Sequence, residues 1–401
     1  MQTTNPTSTL ILNANIVSAG SIRPNSGILI DGRIANIFDM ADLDKIKIPG
    51  NDNSNTKIID ARGQITCPGL IDTHIHGIAG RSTDENSPSA ILDMSHALAQ
   101  HGITSFIPTL YSGHPDKMVK EASSVVSAMG KETGARILGI HMEGPFLSPE
   151  KSGAQDKESM SLPSAEIMEK LLEASKGNLL AMTVAPELPG IEKVVEIAKK
   201  NNVVLLMGHT NATYQQAKRG TELGIRHTTH MFNAMSPLSH KNPGVAGNSL
   251  INDEMSLEII ADGVHVNMDL VQYVIRTKST EKVVLITDSL GPTGLGLGHY
   301  KANAMDIVLG ENGAFVDAKD HTKLCGSALT LNKAVANVVA GGTDLAKAVK
   351  LATENPAKIY SLRGLGAISR GFLADIVIFN DSLIPQYVLI NGKVVHELGH
   401  D

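Results

Sequence analysis

The stretch "GLIDTHIHG", Gly69 to Gly77, is an apolar run that ends in two histidines one residue apart, followed at once by glycine. Successive side chains of a strand alternate between its faces, so His74 and His76 point one way while Thr73 and Ile75 point the other. Two imidazoles therefore converge on one point at the end of a strand. What they meet there depends on the strands that follow.

Seven further strand-like runs follow, at Thr104 to Leu110, Arg136 to Glu143, Leu179 to Pro186, Val203 to His209, His227 to Phe232, Leu257 to Asp262 and Val283 to Asp288. Between most of them lie amphipathic segments with helical spacing, such as "SAILDMSHALAQHG", "PDKMVKEASSVVSAMG", "AEIMEKLLEASKG", "IEKVVEIAKK", "TYQQAKRGTELG" and "DLVQYVIRTK". Strand and helix in alternation predict a parallel sheet. Eight β/α units over about 220 residues fit a closed (β/α)₈ barrel, with an open doubly wound sheet as the alternative. No GxGxxG follows the first strand, which argues against a dinucleotide site.

The two ends of the chain have a different texture. From Thr9 to about Pro68 short runs alternate, with Asp31-Gly32 set between two of them as a hairpin signal; "YVLINGKVVH" repeats the device with Asn391-Gly392. Both β-rich ends are expected to pair into one small β-sandwich domain, residues 1–68 and 363–401, around a catalytic barrel at 69–362. "NDNSN", Asn51 to Asn55, reads as a flexible insertion in that domain.

With 35 Lys and Arg against 41 Asp and Glu, the net charge is -6, and no basic run suggests nucleic acid as a partner. A small molecule is the expected partner. The two cysteines, Cys67 and Cys325, lack metal-knuckle spacing and fit a reducing compartment. No segment reaches the roughly 18 apolar residues of a membrane span, and the polar start carries no signal-peptide pattern. A cytoplasmic location is the expectation.

In a (β/α)₈ barrel the chemistry sits at the C-terminal ends of the strands. Those ends here carry His74 and His76, His141 and Glu143, His209, His227 and His230, Asp262 with His265, and Asp288. Each alone fits an ordinary strand-end polar residue. Gathered at one mouth, several imidazoles with two of these carboxylates make a nitrogen and oxygen donor set for zinc or another divalent transition ion. Such an ion acidifies a water and polarises a carbonyl, and a nearby carboxylate can carry the proton to a leaving amine. Hydrolysis of an amide-type bond is the expected reaction class.

The order His-x-His, Glu, His, His, Asp on successive strands resembles the amidohydrolase superfamily, whose members commonly add a β domain built from both termini. More narrowly, "PGLIDTHIHG", "HMEGPFLSPEKSGA", "GHTNATYQQA", "THMFNAMSPLSHKNPG", "DGVHV", "ITDS", "CGSALTLNKAVAN", "ENPAKIYSL" and "GFLADIVIF" resemble the N-acetylglucosamine-6-phosphate deacetylase family. The resemblance implies one or two divalent ions per subunit: zinc first, with iron, manganese or cobalt as alternatives. Glu143, His209 and His230 would hold the ion common to the family, and His74, His76 and Asp288 a second. Asp288 would be general base and then general acid. Ala154, the backbone of Asn233 and Ala234, and His265 would hold an amino-sugar phosphate, with Cys325 and Gly326 adding main-chain contacts. Lys241 would reach the neighbouring site of a homodimer.

Two positions depart from the family pattern. Lys241 stands where arginine is usual, with Asn242 in place of glutamate, and lysine lacks arginine's bidentate fork. Gln155 stands where a histidine near the reacting acetyl is usual; it can donate a hydrogen bond but cannot become a cation. A shift of preference to the galactosamine epimer, another amidohydrolase reaction on an acylated amine or cyclic amide, and a non-catalytic scaffold are the competing readings. His96, His101 and His114 are expected at the surface. His141 is expected either beside a metal ligand or simply buried and hydrogen-bonded, and Gly294 to His299 as a mobile loop over the site.

Overall fold

The computed structural model describes residues 8–48 and 56–399, which leaves Asn51 to Asn55 outside the described residues. Barrel strands are numbered along the chain: β1 (Leu70–Ile75), β2 (Ile103–Leu110), β3 (Ile140–Glu143), β4 (Leu179–Val184), β5 (Val204–Met207), β6 (His227–Thr228), β7 (Ser256–Ile260) and β8 (Val283–Ile286). Each pairs in parallel with the next, from β1 to β8. Their C-terminal ends therefore gather at one mouth. β8 returns to β1 at that mouth, through Asp288 N–H to the His74 carbonyl at 2.9 Å and the Thr287 hydroxyl to Asp72 Oδ2 at 2.6 Å.

The third predicted strand is interrupted. Arg136–Ile137 pairs with β2 on its own, and β3 begins only at Ile140. Gly139 lies in the gap, where a Cβ would come within 2.9 Å of the Asn178 carbonyl and of Leu180 Cβ. Only glycine lets the two backbones approach so closely.

The predicted helices form at Pro88–Ala99, Pro115–Ala128, Ala165–Ser175, Ile191–Lys200, Tyr214–Leu223 and Met268–Thr277. Ile191–Lys200 shows why: Ile191, Val194, Val195, Ile197 and Ala198 are buried against the barrel, while Glu192, Lys193, Glu196, Lys199 and Lys200 face water. Each buried Val or Ile contributes roughly 1.5–3 kcal/mol, so Val194→Asp would detach the helix. Tyr214–Leu223 starts on a reciprocal cap, with Thr213 Oγ1 accepting from Gln216 N–H and Gln216 Oε1 accepting from Thr213 N–H.

Both termini build one eight-stranded sheet. Ile65–Pro68 from the N-terminal side pairs antiparallel with Ile376–Phe379 from the C-terminal side, and Ile11, Ile28, Ile30, Ile376 and Leu389 form its core. Asn391 and Gly392 have φ of 51° and 75°, the positive pair that a tight type I′ hairpin turn requires. No helix among the described residues is long and apolar enough to cross a membrane. Cys67 and Cys325 are buried and unpaired.

The segment after the barrel also departs from the sequence expectation. After β8 the chain forms an antiparallel four-stranded sheet from Gly298–Ala302, Met305–Leu309, Ala314–Asp317 and Leu324–Ser327. Gly294 to Leu297 is an exposed turn, but Gly298 and His299, expected in a loop, already belong to the first of these strands. The strands are only four or five residues long and joined by short polar turns, so no long periodic run announces them.

Candidate metal centre

His209, His230 and Asp288 each lie two residues beyond the last residue of β5, β6 and β8, and each takes a left-handed backbone, with φ of 45°, 22° and 50°. For residues other than glycine such a conformation costs of order 1–3 kcal/mol, and it persists where surrounding bonds impose it. Here the carbonyls of the three residues accept N–H bonds from Ser148, Asn233 and Ser327 at 2.9, 3.0 and 2.9 Å. The three strand extensions expected from the sequence thus break off, and the side chains turn into the barrel mouth.

Glu143 lies at the centre. Its Oε1 is 3.1 Å from His209 Nε2, 3.0 Å from His230 Nε2 and 3.4 Å from His74 Nε2, and its Oε2 is 3.3 Å from His76 Nε2. Asp288 Oδ1 is 3.4 Å from His76 Nε2 and 3.6 Å from His74 Nε2. Donor atoms therefore fall into two adjoining groups, Glu143 with His209 and His230, and His74 with His76 and Asp288.

These groups fit divalent cations. His209 Nε2 and His230 Nε2 are 3.1 Å apart, and two donors about 2.0–2.1 Å from one tetrahedral ion lie about 3.3 Å from each other. His74 Nε2 is buried, lacks a hydrogen-bond partner and faces carboxylate oxygens. A buried polar atom so placed needs a cation or a proton between it and the oxygens. Electrostatics agree. Burial alone would lower the basicity of His74 and His76, yet Glu143 and Asp288 beside them raise both, His74 well above the ordinary value. Burial likewise opposes ionisation of Glu143 and Asp288, but the surrounding imidazoles hold Glu143 well below the usual carboxylate range and Asp288 below it. The pocket is built to hold positive charge.

Three buried neighbours frame these donors. His141 bonds Thr109 Oγ1 at 3.1 Å and Thr183 Oγ1 at 2.9 Å with its ring 4.7 Å from His74, and burial pushes its pKa down to about 3, so it stays neutral. Tyr111 stacks on His76 with ring centroids 3.9 Å apart. Glu258, on β7, faces His74 Nδ1 at 3.2 Å.

Above the donors opens a cavity of about 160 Å³. Ala154, Gln155, Asn233, Ala234, His265, Cys325 and Gly326 all line it, with His76, Glu143, His209, His230 and Asp288. Gly153 completes one wall with φ of 54°; a Cβ there would lie 3.1 Å from His209 Cε1. His265 Nδ1 bonds Asp262 Oδ2 at 2.6 Å, which fixes the ring's proton on that nitrogen and leaves Nε2 as an acceptor. Lys241 is exposed and does not line the cavity. A wider hollow of about 510 Å³ at the opposite end of the barrel holds charges that neutralise one another, Arg226 with Glu254 at 3.5 Å and Lys358 with Glu281 at 3.0 Å.

Residues 65–395 match the model of the amidohydrolase family. The chain belongs to the amidohydrolase family. Amidohydrolases depend on metal, and the two donor groups are where this one can meet that need. It is 32% identical over 341 residues to N-acetylglucosamine-6-phosphate deacetylase of Bacillus subtilis, covering 82% of this chain and 84% of that protein. It is 29% identical to N-acetylgalactosamine-6-phosphate deacetylase of Escherichia coli, covering 84% and 89%. Among solved structures it superposes with a TM-score of 0.88, at 26% identity, on an alanine variant of N-acetyl-D-glucosamine-6-phosphate deacetylase from Mycobacterium smegmatis in complex with N-acetyl-D-glucosamine-6-phosphate, covering 97% of this chain and 99% of that one.

Within this amidohydrolase site, sequence reasoning missed Tyr111 and Glu258. Tyr111 follows directly on β2 and gives no periodic signal. Glu258 does give one, as the single charge in the buried strand "SLEII". His227, left without a role, lies 3.7 Å from the same carboxylate, and His96 and His114 are exposed, with His101 partly so.

Proposed function

We propose that this amidohydrolase removes the acetyl group of N-acetylated hexosamine 6-phosphates, converting N-acetylglucosamine 6-phosphate to glucosamine 6-phosphate and acetate. The observation that carries the reading is the Glu143-centred donor set lying beside Asp288 on the floor of a cavity lined by Ala154, Asn233, Ala234 and His265. The names of its relatives support the same substrate class.

The ion, zinc before iron, manganese or cobalt, would be held by Glu143, His209 and His230, and a second by His74, His76 and Asp288. When bound, such ions acidify water and polarise a carbonyl oxygen. Asp288, ionised among imidazoles, accepts the proton of the attacking water and returns it to the departing sugar amine. His265, its Nδ1 proton held by Asp262, presents Nε2 to a sugar hydroxyl. Backbone groups of Asn233 and Ala234 and main-chain contacts at Cys325 and Gly326 orient the sugar, and Ala154 borders it. Lys241 serves the phosphate across a homodimer, and the enzyme works in the cytoplasm on a free small molecule, with neither nucleic acid nor membrane as partner.

The galactosamine epimer is the second reading, favoured by Gln155 and Lys241 and by the name of the E. coli relative. Acetate release from N-acetylglucosamine 6-phosphate by zinc-reconstituted protein, abolished by chelation, is the test. A protein that holds zinc yet releases no acetate from either epimer would sink the proposal.

A further inference from the structure

Glu258 is wholly buried on β7, deep in the barrel. A buried carboxylate costs several kcal/mol unless its lone pairs are satisfied. Here donors surround it: Oε1 accepts from Thr73 Oγ1 and from the Tyr360 hydroxyl, both at 3.2 Å, and Oε2 accepts from Thr229 Oγ1 at 2.9 Å. His74 Nδ1 lies 3.2 Å from Oε2 and 3.0 Å from Thr229 Oγ1. A hydroxyl has one proton, and that of Thr229 goes to Glu258. Its oxygen is then an acceptor, as the carboxylate is, so Nδ1 must carry hydrogen whichever of the two it meets. Nε2 is left facing Glu143 Oε1 at 3.4 Å and Asp288 Oδ1 at 3.6 Å, with no hydrogen-bond partner.

We propose that Glu258 is a positioning residue for the second ion, keeping the proton of His74 on Nδ1 so that Nε2 offers its lone pair at the barrel mouth. The proposal rests on the two-ion reading of the site. Glutamine at this position keeps the shape but can donate its amide to Nδ1, which moves the imidazole proton to Nε2 and removes the ligand. Tyr360→Phe takes one bond from Glu258 without touching its contact to His74.

The experiment is zinc titration of the purified chain against a chromophoric chelator, for wild type, Glu258→Gln and Tyr360→Phe. Wild type and Tyr360→Phe are expected to bind two ions alike. Glu258→Gln is expected to keep the tighter ion and to bind the weaker one about 10- to 100-fold less well. Equal affinity for both ions in Glu258→Gln overturns the proposal and leaves the two-ion reading standing; an equal loss in Tyr360→Phe overturns it as a mere packing effect. A wild type that binds one ion overturns both the reading and the proposal. Should Glu258→Gln fail to fold, Glu258→Asp, which draws the carboxylate back from Nδ1, is titrated instead, with a smaller loss at the same ion expected and an unchanged affinity overturning the assignment.

Discussion

Gln155 grips Glu143. Its Nε2 donates to Glu143 Oε2, while its Oε1 accepts the N–H of Ser112 at 2.9 Å. Because a backbone N–H can only donate, the orientation of the amide is fixed, and its NH₂ must face the carboxylate. Glu143 is thereby left with Oε1 free for His209, His230 and the ion they are proposed to share.

Gln155→Ala should therefore loosen that ion. Losing a hydrogen bond to a charged group costs about 1.5–3 kcal/mol, or at least about tenfold in zinc affinity. Chelator competition measures it, and an unchanged affinity would show that the amide does not orient Glu143.

Asp288→Asn keeps the size of the side chain but removes its basicity. Turnover should fall by about 10²–10⁴-fold, while an ion stays with Glu143, His209 and His230. Metal analysis beside acetate release checks both halves. Substantial remaining activity would assign the proton transfer elsewhere.

Lys241 is exposed and outside the cavity of its own chain, which suits a role in a partner's site. Lys241→Ala should lower kcat/KM for a phosphorylated substrate by about tenfold or more. Refolding it together with Asp288→Asn should give mixed dimers in which one site has both groups, restoring about a quarter of wild-type activity. No gain on mixing would place the phosphate contact within one chain.

Much of the barrel could be read from the sequence because its periods are local. "IEKVVEIAKK" shows its buried face in ten residues, and His74 and His76 announce their shared direction in three. The left-handed turns at His209, His230 and Asp288 could not be read, because Ser148, Asn233 and Ser327 impose them, two of the three from other segments of the chain. Glu258 was visible as a lone charge in an apolar strand, but its partner His74 is 184 residues away. Gln155 was noted as a departure near the acetyl group; its bond to Glu143 emerges only from the fold.

Glu121 supplies a pH test remote from the metal donors. It is buried in the Pro115–Ala128 helix, neither carboxylate oxygen has a hydrogen-bond partner, and Lys117 is 3.5 Å away. Burial pushes its pKa up to about 7 against the smaller opposing pull of Lys117. A carboxyl whose folded pKa lies above its unfolded value of about 4.3 costs stability as pH rises between the two, and no more beyond. Glu121→Gln should therefore match wild type below about pH 4 and exceed it by about 3 to 4 kcal/mol above pH 7.5. Urea unfolding across that range reads the gap, and a gap independent of pH contradicts the assignment.

The reaction proposed at the Glu143 and Asp288 site is deacetylation of an amino-sugar phosphate. Its most direct measurement is kcat/KM for acetate release by the zinc-loaded protein from N-acetylglucosamine 6-phosphate, beside N-acetylgalactosamine 6-phosphate and unphosphorylated N-acetylglucosamine. The first is expected to be preferred over the third by about tenfold or more, the worth of one charged phosphate contact, and to exceed its epimer as well. Equal rates with and without the phosphate, or no acetate from any of the three, would contradict the proposed reaction.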